Sequence, residues 1–274
     1  MRVKVDGASF VYPSGVRALD EIHLEVRSGE TVAIVGENGA GKTTLVKLFN
    51  GLLRPTTGRV LVGNWDVQQY STAQLAARVG FLFQNPDEQL FERSAEREVA
   101  FGPRNLGFSD SKITSRTRIA LQLVGLLDKA QVNPYDMQPF ERKLLALAST
   151  LAMETPVLVL DEPSIGQDAA GRQRIRRILA GLHKRKQTLL LISHDLDFCA
   201  QVAKRGVVMA GGRILADGPI SDVFAQAKLL GQAAVSPPQL IRLAQGLKMP
   251  GAPLTPSQFV KIYSAWRSRR KRAS

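Results

Sequence analysis

Residues 36–43 read Gly-Glu-Asn-Gly-Ala-Gly-Lys-Thr, a complete G-x-x-x-x-G-K-[ST] motif. This motif is typical of loops that bind the phosphates of a nucleoside triphosphate. Its glycines let backbone N–H groups turn toward phosphate oxygens, and the following helix adds its positive N-terminal end. Lys42 is placed to reach the β- and γ-phosphates, and Thr43 to hold Mg²⁺. The predicted nucleotide-binding residues here are Gly36, Glu37, Asn38, Gly39, Ala40, Gly41, Lys42, Thr43 and Thr44.

The flanking residues supply the strand and helix that the motif requires. An apolar stretch at 31–35 precedes the loop, and Leu45, Phe49 and Leu52 follow at helical spacing. The alternative is a glycine-rich turn with a chance lysine, because short motifs carry false positives. Further motifs along the chain weigh against that alternative.

Two other apolar runs end in polar residues that suit phosphate chemistry. Residues 157–160 form a buried-strand pattern followed by Asp161 and Glu162. Residues 189–192 form another, followed by His194. Strand ends in open α/β sheets face the ligand, so Asp161 would hold Mg²⁺, Glu162 would polarise an attacking water, and His194 would contact the γ-phosphate. Singly, each has a structural alternative: the acids as helix caps, and the histidine as a packing residue.

With these motifs in order, residues 1–230 resemble the ATP-binding-cassette (ABC) ATPases. Tyr12 matches the aromatic that stacks on adenine in that family, although a turn aromatic before proline is an alternative. Gln84 matches a glutamine that follows a strand; the resemblance implies that it is a catalytic residue, binds Mg²⁺ and transmits movement to the membrane subunits. His194 matches the switch histidine and is the other catalytic residue besides Glu162. The resemblance implies an α/β P-loop NTPase (RecA-like) core with an antiparallel β subdomain and an inserted helical subdomain. It also implies ATP hydrolysis, with ATP and Mg²⁺ as cofactors.

A narrower resemblance lies in residues 83–91 and 207–219, which are similar to energy-coupling-factor transporter ATPases. That resemblance implies an ATPase subunit of an importer of a vitamin or a transition-metal ion, peripheral on the cytoplasmic side of the cell membrane. Its partners would be a second ABC ATPase subunit and transmembrane transport subunits. The sequence does not identify the solute, because selectivity in such systems lies in the membrane-embedded partner.

One element departs from the family pattern. Where the family carries Leu-Ser-Gly-Gly-Gln at a helix start, this chain carries Met137, Gln138, Pro139, Phe140 and Glu141. In the family this signature closes over ATP held by the partner subunit. Pro139 has no N–H to donate, Phe140 adds bulk, and Glu141 brings a negative charge, while Gln138 is an alternative donor to the serine. We therefore expect a heterodimer whose other subunit has an intact signature.

Length and composition agree with one large α/β unit. The chain has 274 residues with 44% hydrophobic content and a single cysteine, Cys199, which excludes an internal disulfide. The sequence predicts an ABC ATPase domain over 1–230, with its helical subdomain at about 87–153, and a C-terminal extension over 231–274. Within the helical subdomain, Ser111 is the predicted cap of a helix whose apolar face contains Ile119, Leu121, Leu123 and Val124.

The net charge of +13 leaves several alternatives open. A basic tail can meet anionic lipid or RNA, or can stay solvated. A soluble ABC ATPase acting on nucleic acid is one rival function, but no second cassette or long coiled-coil insert is visible, and no nucleic-acid partner is expected. A gating subunit with little hydrolysis of its own is the other rival. The tail contains Lys261, Arg267, Arg269, Arg270, Lys271 and Arg272.

Overall fold

The computed structural model describes the backbone of residues 1–273 and the side chains of residues 1–268. Ten strands and eleven α-helices are present among these residues. The strands are β1 Val3–Val11, β2 Arg17–Val26, β3 Thr31–Val35, β4 Thr57–Val62, β5 Trp65–Asp66, β6 Val79–Leu82, β7 Val157–Asp161, β8 Thr188–Ile192, β9 Arg205–Ala210 and β10 Arg213–Pro219. The helices are α1 Lys42–Phe49, α2 Thr72–Ala76, α3 Ala95–Asn105, α4 Asp110–Val124, α5 Pro139–Ala152, α6 Ala169–Lys184, α7 Leu196–Val202, α8 Ile220–Phe224, α9 Ala227–Gln232, α10 Gln239–Gly246 and α11 Pro256–Ala273.

A six-stranded sheet with the order β10-β9-β3-β8-β7-β6 forms the centre of the fold. All its pairings are parallel except the β9–β10 pair at one edge. Parallel strands buried on both faces read as continuous apolar runs, which is why the runs at 157–160 and 189–192 predicted β7 and β8 correctly.

Alternate residues of these strands enter two hydrophobic cores, one on each face of the sheet. One core contains the helices of the middle segment, and the other contains α1 and the four-stranded antiparallel sheet β2-β1-β4-β5. The predicted α/β class, with an antiparallel β subdomain and a helical part, is therefore confirmed. The first face carries Ala33, Val35, Leu158, Leu160, Leu189 and Leu191, and the second carries Val32, Ile34, Val157, Val159, Leu190 and Ile192.

Helices α3, α4 and α5 make up most of the predicted helical segment, but two details of that prediction were wrong. The residue at the N-cap of α4 is Ser109, and Ser111 lies inside the helix. The buried face of α4 consists of Thr117, Ala120, Leu121 and Val124, which follow the i, i+3, i+4, i+7 spacing. Ile119 and Leu123 are 43% and 46% exposed, because they lie one helical turn apart on the opposite face.

Helix α1 is also shorter than its apolar spacing predicted. It ends at Phe49, and Leu52 lies beyond it, 43% exposed. The backbone of Gly51 has a φ of 71°, in the left-handed region that commonly ends a helix.

The segment after residue 230 packs onto the core of the sheet. Ala233 and Ile241 are fully buried in the same cluster as Leu191 and Val208. Helix α11 covers most of the predicted basic tail, but the side chains of Arg269, Arg270, Lys271 and Arg272 lie outside those that the structure describes. Among the described residues, no helix has both the length and the apolar character needed to cross a bilayer.

The burial of Ile241 generates a stability prediction. Ile241→Ala should lower the free energy of unfolding by about 2–5 kcal/mol, because it leaves a cavity in the shared core. Leu243→Ala, in the same helix but at a position that is 50% exposed, should change it by less than about 0.5 kcal/mol. Equilibrium urea denaturation followed by circular dichroism measures both. Equal small losses would show that the extension does not share the core of the sheet.

Candidate functional site

The loop between β3 and α1 is shaped by two glycines that leave no room for a side chain. Gly36 has a φ of 152°, and a Cβ there would lie 2.1 Å from the carbonyl oxygen of Met209. Gly41 has a φ of 94°, and a Cβ there would lie 2.5 Å from the carbonyl oxygen of Ala18. The loop can therefore curl tightly around an anion in a way that only glycine permits at these positions.

Lys42 is the first residue of α1 and is 8% exposed. Its Nζ donates hydrogen bonds to the carbonyl oxygens of Gly36 at 2.8 Å and Glu37 at 2.7 Å. Burial lowers the pKa of Lys42, and the nearby carboxylates of Glu162 and Asp161 oppose that shift. The ammonium is thus folded over the loop, where its charge faces the concavity formed by the backbone.

Thr43 and Asp161 meet at the junction of the loop and β7. The Thr43 hydroxyl donates to Asp161 Oδ2 at 2.8 Å, and Asp161 is 2% exposed. Burial raises the pKa of Asp161, while the hydrogen bond from Thr43 opposes the shift. The Thr43 hydroxyl and the Asp161 carboxylate thus offer two neighbouring oxygen ligands of the kind that a hard divalent cation prefers.

Both oxygens of the Glu162 carboxylate contact the residues that follow β8. Oε1 accepts from the backbone N–H of His194 at 2.8 Å and lies 2.8 Å from His194 Nδ1. Oε2 accepts from the Ser193 hydroxyl at 2.9 Å. Glu162 is 6% exposed and has a φ of 49°, an uncommon backbone conformation for glutamate. The residue is therefore held at the strand end by a dense set of local contacts.

Tyr12, which follows β1, and Gln84, which follows β6, line the same cavity. The Tyr12 hydroxyl lies 3.0 Å from Thr44 Oγ1, and its ring packs edge to face on Phe10 at 4.9 Å between centroids. Gln84 follows β6 and has an exposed side chain. The tyrosine ring is thereby fixed beside the end of the phosphate loop.

One cavity of about 820 Å³ brings nearly all of the predicted site residues together. Ala40 is the exception in the loop: it is 1% exposed, and its carbonyl accepts a hydrogen bond from the Gly212 N–H at 3.2 Å. The predicted site residues that line the cavity are Tyr12, Gly36, Glu37, Asn38, Gly39, Gly41, Lys42, Thr43, Thr44, Gln84, Asp161, Glu162 and His194.

The five residues aligned with the family signature lie apart from this cavity, at the start of α5. Pro139 is the first residue of the helix, where its missing N–H costs least. Met137 is 5% exposed and belongs to the core, whereas Gln138 and Phe140 are exposed. The Phe140 carbonyl accepts a hydrogen bond from Gln167 Nε2 at 2.9 Å, which ties the helix start to the loop after β7.

Glu141 is folded back onto its own subunit. It is 8% exposed, its Oε1 accepts from Lys129 Nζ at 2.5 Å, and its Oε2 accepts from the Gln138 N–H at 3.2 Å. The hydrogen bond from Lys129 lowers the pKa of Glu141. A carboxylate of the chain itself therefore already occupies the N-terminal turn of α5, the part of a helix that favours anions.

Ser193 and Lys143 also support the site, although neither was among the predicted site residues. Lys143 is 3% exposed in α5 and bonds three backbone carbonyls near the cavity. Burial lowers the pKa of Lys143 to about 8, opposed by attraction to Asp161 and Glu162. The run of apolar residues directly after Lys143, at 144–148, was the signal that this lysine lies on a buried helix.

Comparison with known proteins assigns the family. A family model described as ABC transporter matches residues 19–165. The chain belongs to the ABC transporter ATPase family. The chain is therefore an ATPase, and the predicted fold and family resemblance are both confirmed.

Several relatives and solved structures resemble this ATPase along most of its length. The energy-coupling factor transporter ATP-binding protein EcfA2 of Clostridium tetani is 35% identical over 94% of this chain and 93% of its own. EcfA2 of Acetivibrio thermocellus is 37% identical over 90% of each chain. A putative ABC transporter ATP-binding protein of Methanosarcina acetivorans is 40% identical over 91% of this chain, which spans 41% of the length of that relative.

Among solved structures, CbiO1 of Clostridium perfringens, described as part of the ABC transporter complex CbiONQ, is 31% identical. It superposes with a TM-score of 0.74 over 90% of this chain and 98% of its own. The bacterial ABC transporter cassette MJ0796 is 22% identical, with a TM-score of 0.73 over 80% of this chain and 98% of its own. The latter similarity establishes the fold alone.

The different positions of Lys42 and Glu162 generate a paired prediction. Lys42→Ala should weaken ATP binding about 10- to 100-fold, because hydrogen bonds to charged groups contribute about 1.5–3 kcal/mol. Glu162→Gln should leave binding within about threefold and reduce turnover about 10²- to 10⁴-fold, as expected for loss of a general base. Fluorescent-nucleotide titration and phosphate release measure the two effects in the assembled complex.

Lys47→Ala is the matched control for the lysine substitution, because Lys47 lies on the same helix but does not line the cavity. It should leave both measurements unchanged. Near-normal hydrolysis by the Glu162→Gln complex would contradict the role predicted for that carboxylate.

Proposed function

We propose that this ATPase powers an importer of the energy-coupling-factor type, as a subunit on the cytoplasmic face of the cell membrane. The support comes from relatives named energy-coupling factor transporter ATP-binding proteins, at 34–37% identity over nearly the whole chain. The observation that carries the proposal is the convergence of Lys42, the Thr43–Asp161 pair and the Glu162–His194 pair on one cavity. The solute would be a vitamin or a transition-metal ion.

ATP would bind with its adenine on Tyr12 and its phosphates in the loop of residues 36–44. The tight curl imposed by Gly36 and Gly41 and the charge of Lys42 suit the phosphates. Mg²⁺ would be held by the Thr43 hydroxyl, by Asp161 and by Gln84, since hard oxygen donors match that ion. When bound, Mg²⁺ would neutralise negative charge on the β- and γ-phosphates.

Glu162 would orient and polarise the attacking water, with His194 beside the γ-phosphate. The Ser193 hydroxyl and the His194 backbone N–H each donate a hydrogen bond to the carboxylate and hold it in place. His194 Nδ1 has to turn away from Glu162 Oε1 before that oxygen can accept a proton from water. Closure of the two subunits around nucleotide would supply this rearrangement.

The membrane partner would dock on an apolar groove between the helical segment and the sheet. The groove has a volume of about 590 Å³, and its lining includes Phe83, which precedes Gln84. Phe91 and Phe101 are 56% and 38% exposed in it, with their rings 4.7 Å apart. The buried carboxylate of Glu98 shapes this edge by accepting from the Phe91 N–H at 2.9 Å. An apolar helix end of a transmembrane subunit fits such a surface.

A charge placed in this groove tests the docking. Phe101→Asp should abolish co-purification with the transmembrane subunits, because a carboxylate would be buried against an apolar partner. Arg104→Asp, which introduces the same carboxylate at an exposed position of the same helix that does not line the groove, is the control and should co-purify normally. Retention of the membrane subunits by Phe101→Asp would contradict this placement, and recovery of RNA in their place would favour the nucleic-acid rival.

The second ATPase subunit would differ from this one. In the family, the signature helix offers its N-terminal donors to the phosphates of the partner's ATP. Here Glu141 and Lys129 fill that helix start with an internal ion pair, and Pro139 and Phe140 alter the two glycine positions. Losing one well-aimed donor costs about 10²–10³ in rate. A partner with an intact signature would leave one competent site, built on the phosphate loop and Glu162 of this chain.

The asymmetry can be measured by substituting the two catalytic bases separately. Glu162→Gln should lower ATP turnover by the complete complex about 10²- to 10⁴-fold. The matching substitution in the partner should lower it by less than about twofold, because the site that contains the altered signature is already slow. Steady-state hydrolysis by the two variant complexes gives the comparison. Robust hydrolysis by this chain alone, as a homodimer, would contradict the proposed asymmetry.

Restoring Leu-Ser-Gly-Gly-Gln at residues 137–141 completes the test and addresses the second candidate function. In the Glu162→Gln background, the restored signature should raise hydrolysis at the slow site. The Glu141–Lys129 ion pair also favours a gating subunit that binds ATP with little turnover. Under that alternative, Glu162→Gln in this chain would not change the turnover of the complex.

A further inference from the structure

Lys143 carries a buried charge close to the site but does not line the cavity. It is the fifth residue of α5 and is 3% exposed. Its Nζ donates to the carbonyl oxygens of Phe83 at 2.7 Å, Gln84 at 2.6 Å and Asp161 at 3.2 Å. An ammonium has three N–H donors, so three backbone carbonyls use all of them.

These carbonyls belong to the ends of two neighbouring strands. β6 and β7 pair in parallel, with Leu82 opposite Leu160, and Gln84 and Asp161 lie just past that pair. The side chains of Gln84 and Asp161 line the cavity, whereas Lys143 does not. Lys143 thus bonds the backbone of two residues whose side chains would hold Mg²⁺.

Burying an ammonium is costly, and packing alone does not require one. An apolar side chain of similar length fills the same space without desolvating a charge. What the ammonium adds is a set of charge-assisted hydrogen bonds with a fixed geometry. Those bonds join three elements: the strand end before the Gln84 loop, the strand end at Asp161, and the helix that begins with the altered signature.

We propose that Lys143 is a positioning residue that sets the distance between Gln84 and Asp161. Through its bonds to both strand ends, a displacement of α5 changes that distance. The inference rests on the proposed placement of Mg²⁺ at those two side chains. In this arrangement, a displacement of α5 on docking of a partner reaches the metal ligands through one side chain. Such outer contacts orient ligand groups, and losing one typically costs about 10–100-fold in metal affinity or activity.

The neighbouring residue provides a matched control. Arg142 NH1 lies 3.0 Å from Asp87 Oδ1, so it links α5 to the same loop after β6. Arg142 is 22% exposed and Asp87 is 47% exposed, and an ion pair that solvent reaches in this way contributes little. Arg142→Met therefore removes a link between the same two segments without touching the carbonyls of Gln84 and Asp161.

The test compares ATP binding by the full chain with and without Mg²⁺. Fluorescent ATP is titrated into wild type, Lys143→Met and Arg142→Met, first in excess EDTA and then in excess MgCl₂. In EDTA, the affinity of Lys143→Met for ATP should stay within about threefold of wild type. The factor by which Mg²⁺ raises that affinity should be about tenfold or more smaller than in wild type. Arg142→Met should match wild type in both conditions. In the assembled complex, Lys143→Met should lower kcat more than it raises KM for ATP.

Asp161→Asn separates failure of the inference from failure of the proposed site. If Asp161→Asn keeps the full gain from Mg²⁺, the proposed metal ligand is wrong. If Asp161→Asn loses the gain and Lys143→Met keeps it, only the role of Lys143 is overturned. If Lys143→Met weakens ATP binding equally in EDTA and in MgCl₂ and also lowers the melting temperature, the lysine only stabilises the fold. If Lys143→Met does not fold, Lys143→Gln, which keeps N–H donors without the charge, is held to the same criteria.

Discussion

Parallel pairing of β3, β8, β7 and β6 is the constraint on which the site depends. Each of these strands ends at the same edge of the sheet, so Thr43, His194, Asp161 and Gln84 converge although they lie far apart in the sequence. A slip of one residue in any strand would exchange its two faces and bury the wrong side chains. The two hydrophobic cores oppose such a slip from both faces, so packing far from the nucleotide sets the geometry around it.

The sequence was sufficient where the signal was local and strong. Short apolar runs located β3, β7 and β8. The site residues after β3 were predicted from the glycine-lysine motif, and those at the ends of β7 and β8 because strand ends meet in such sheets. It failed where several local choices competed. The segment Ser109-Asp110-Ser111 offers three capping residues in a row, and backbone conformation selects the first. Ile119 and Leu123 are apolar, but they lie on the exposed face of α4.

Tertiary partners account for what the sequence could not supply. The altered signature predicted lost donors, but nothing local to Glu141 indicates that Lys129, from another turn, folds its carboxylate inward. Lys143 likewise depends on carbonyls that are about sixty residues earlier and eighteen later in the chain. Lys143 bonds groups that are brought together by the packing of the helical segment on the sheet, whereas Lys129 and Glu141 meet within that segment. The altered signature can therefore be explained by the contacts that its residues make, and not only by the family residues that it lacks.

The hydrogen bonds around Glu162 also have a consequence for ATP hydrolysis by subunits that are not yet assembled. On the proposed assignment, an isolated subunit can hold ATP while the carboxylate that would activate water is occupied by Ser193 and His194. Newly made subunits that have not yet met their partners would then bind the nucleotide without consuming it. The contacts that hold Glu162 in place would thus limit hydrolysis by isolated subunits, and assembled transporters would hydrolyse most of the ATP.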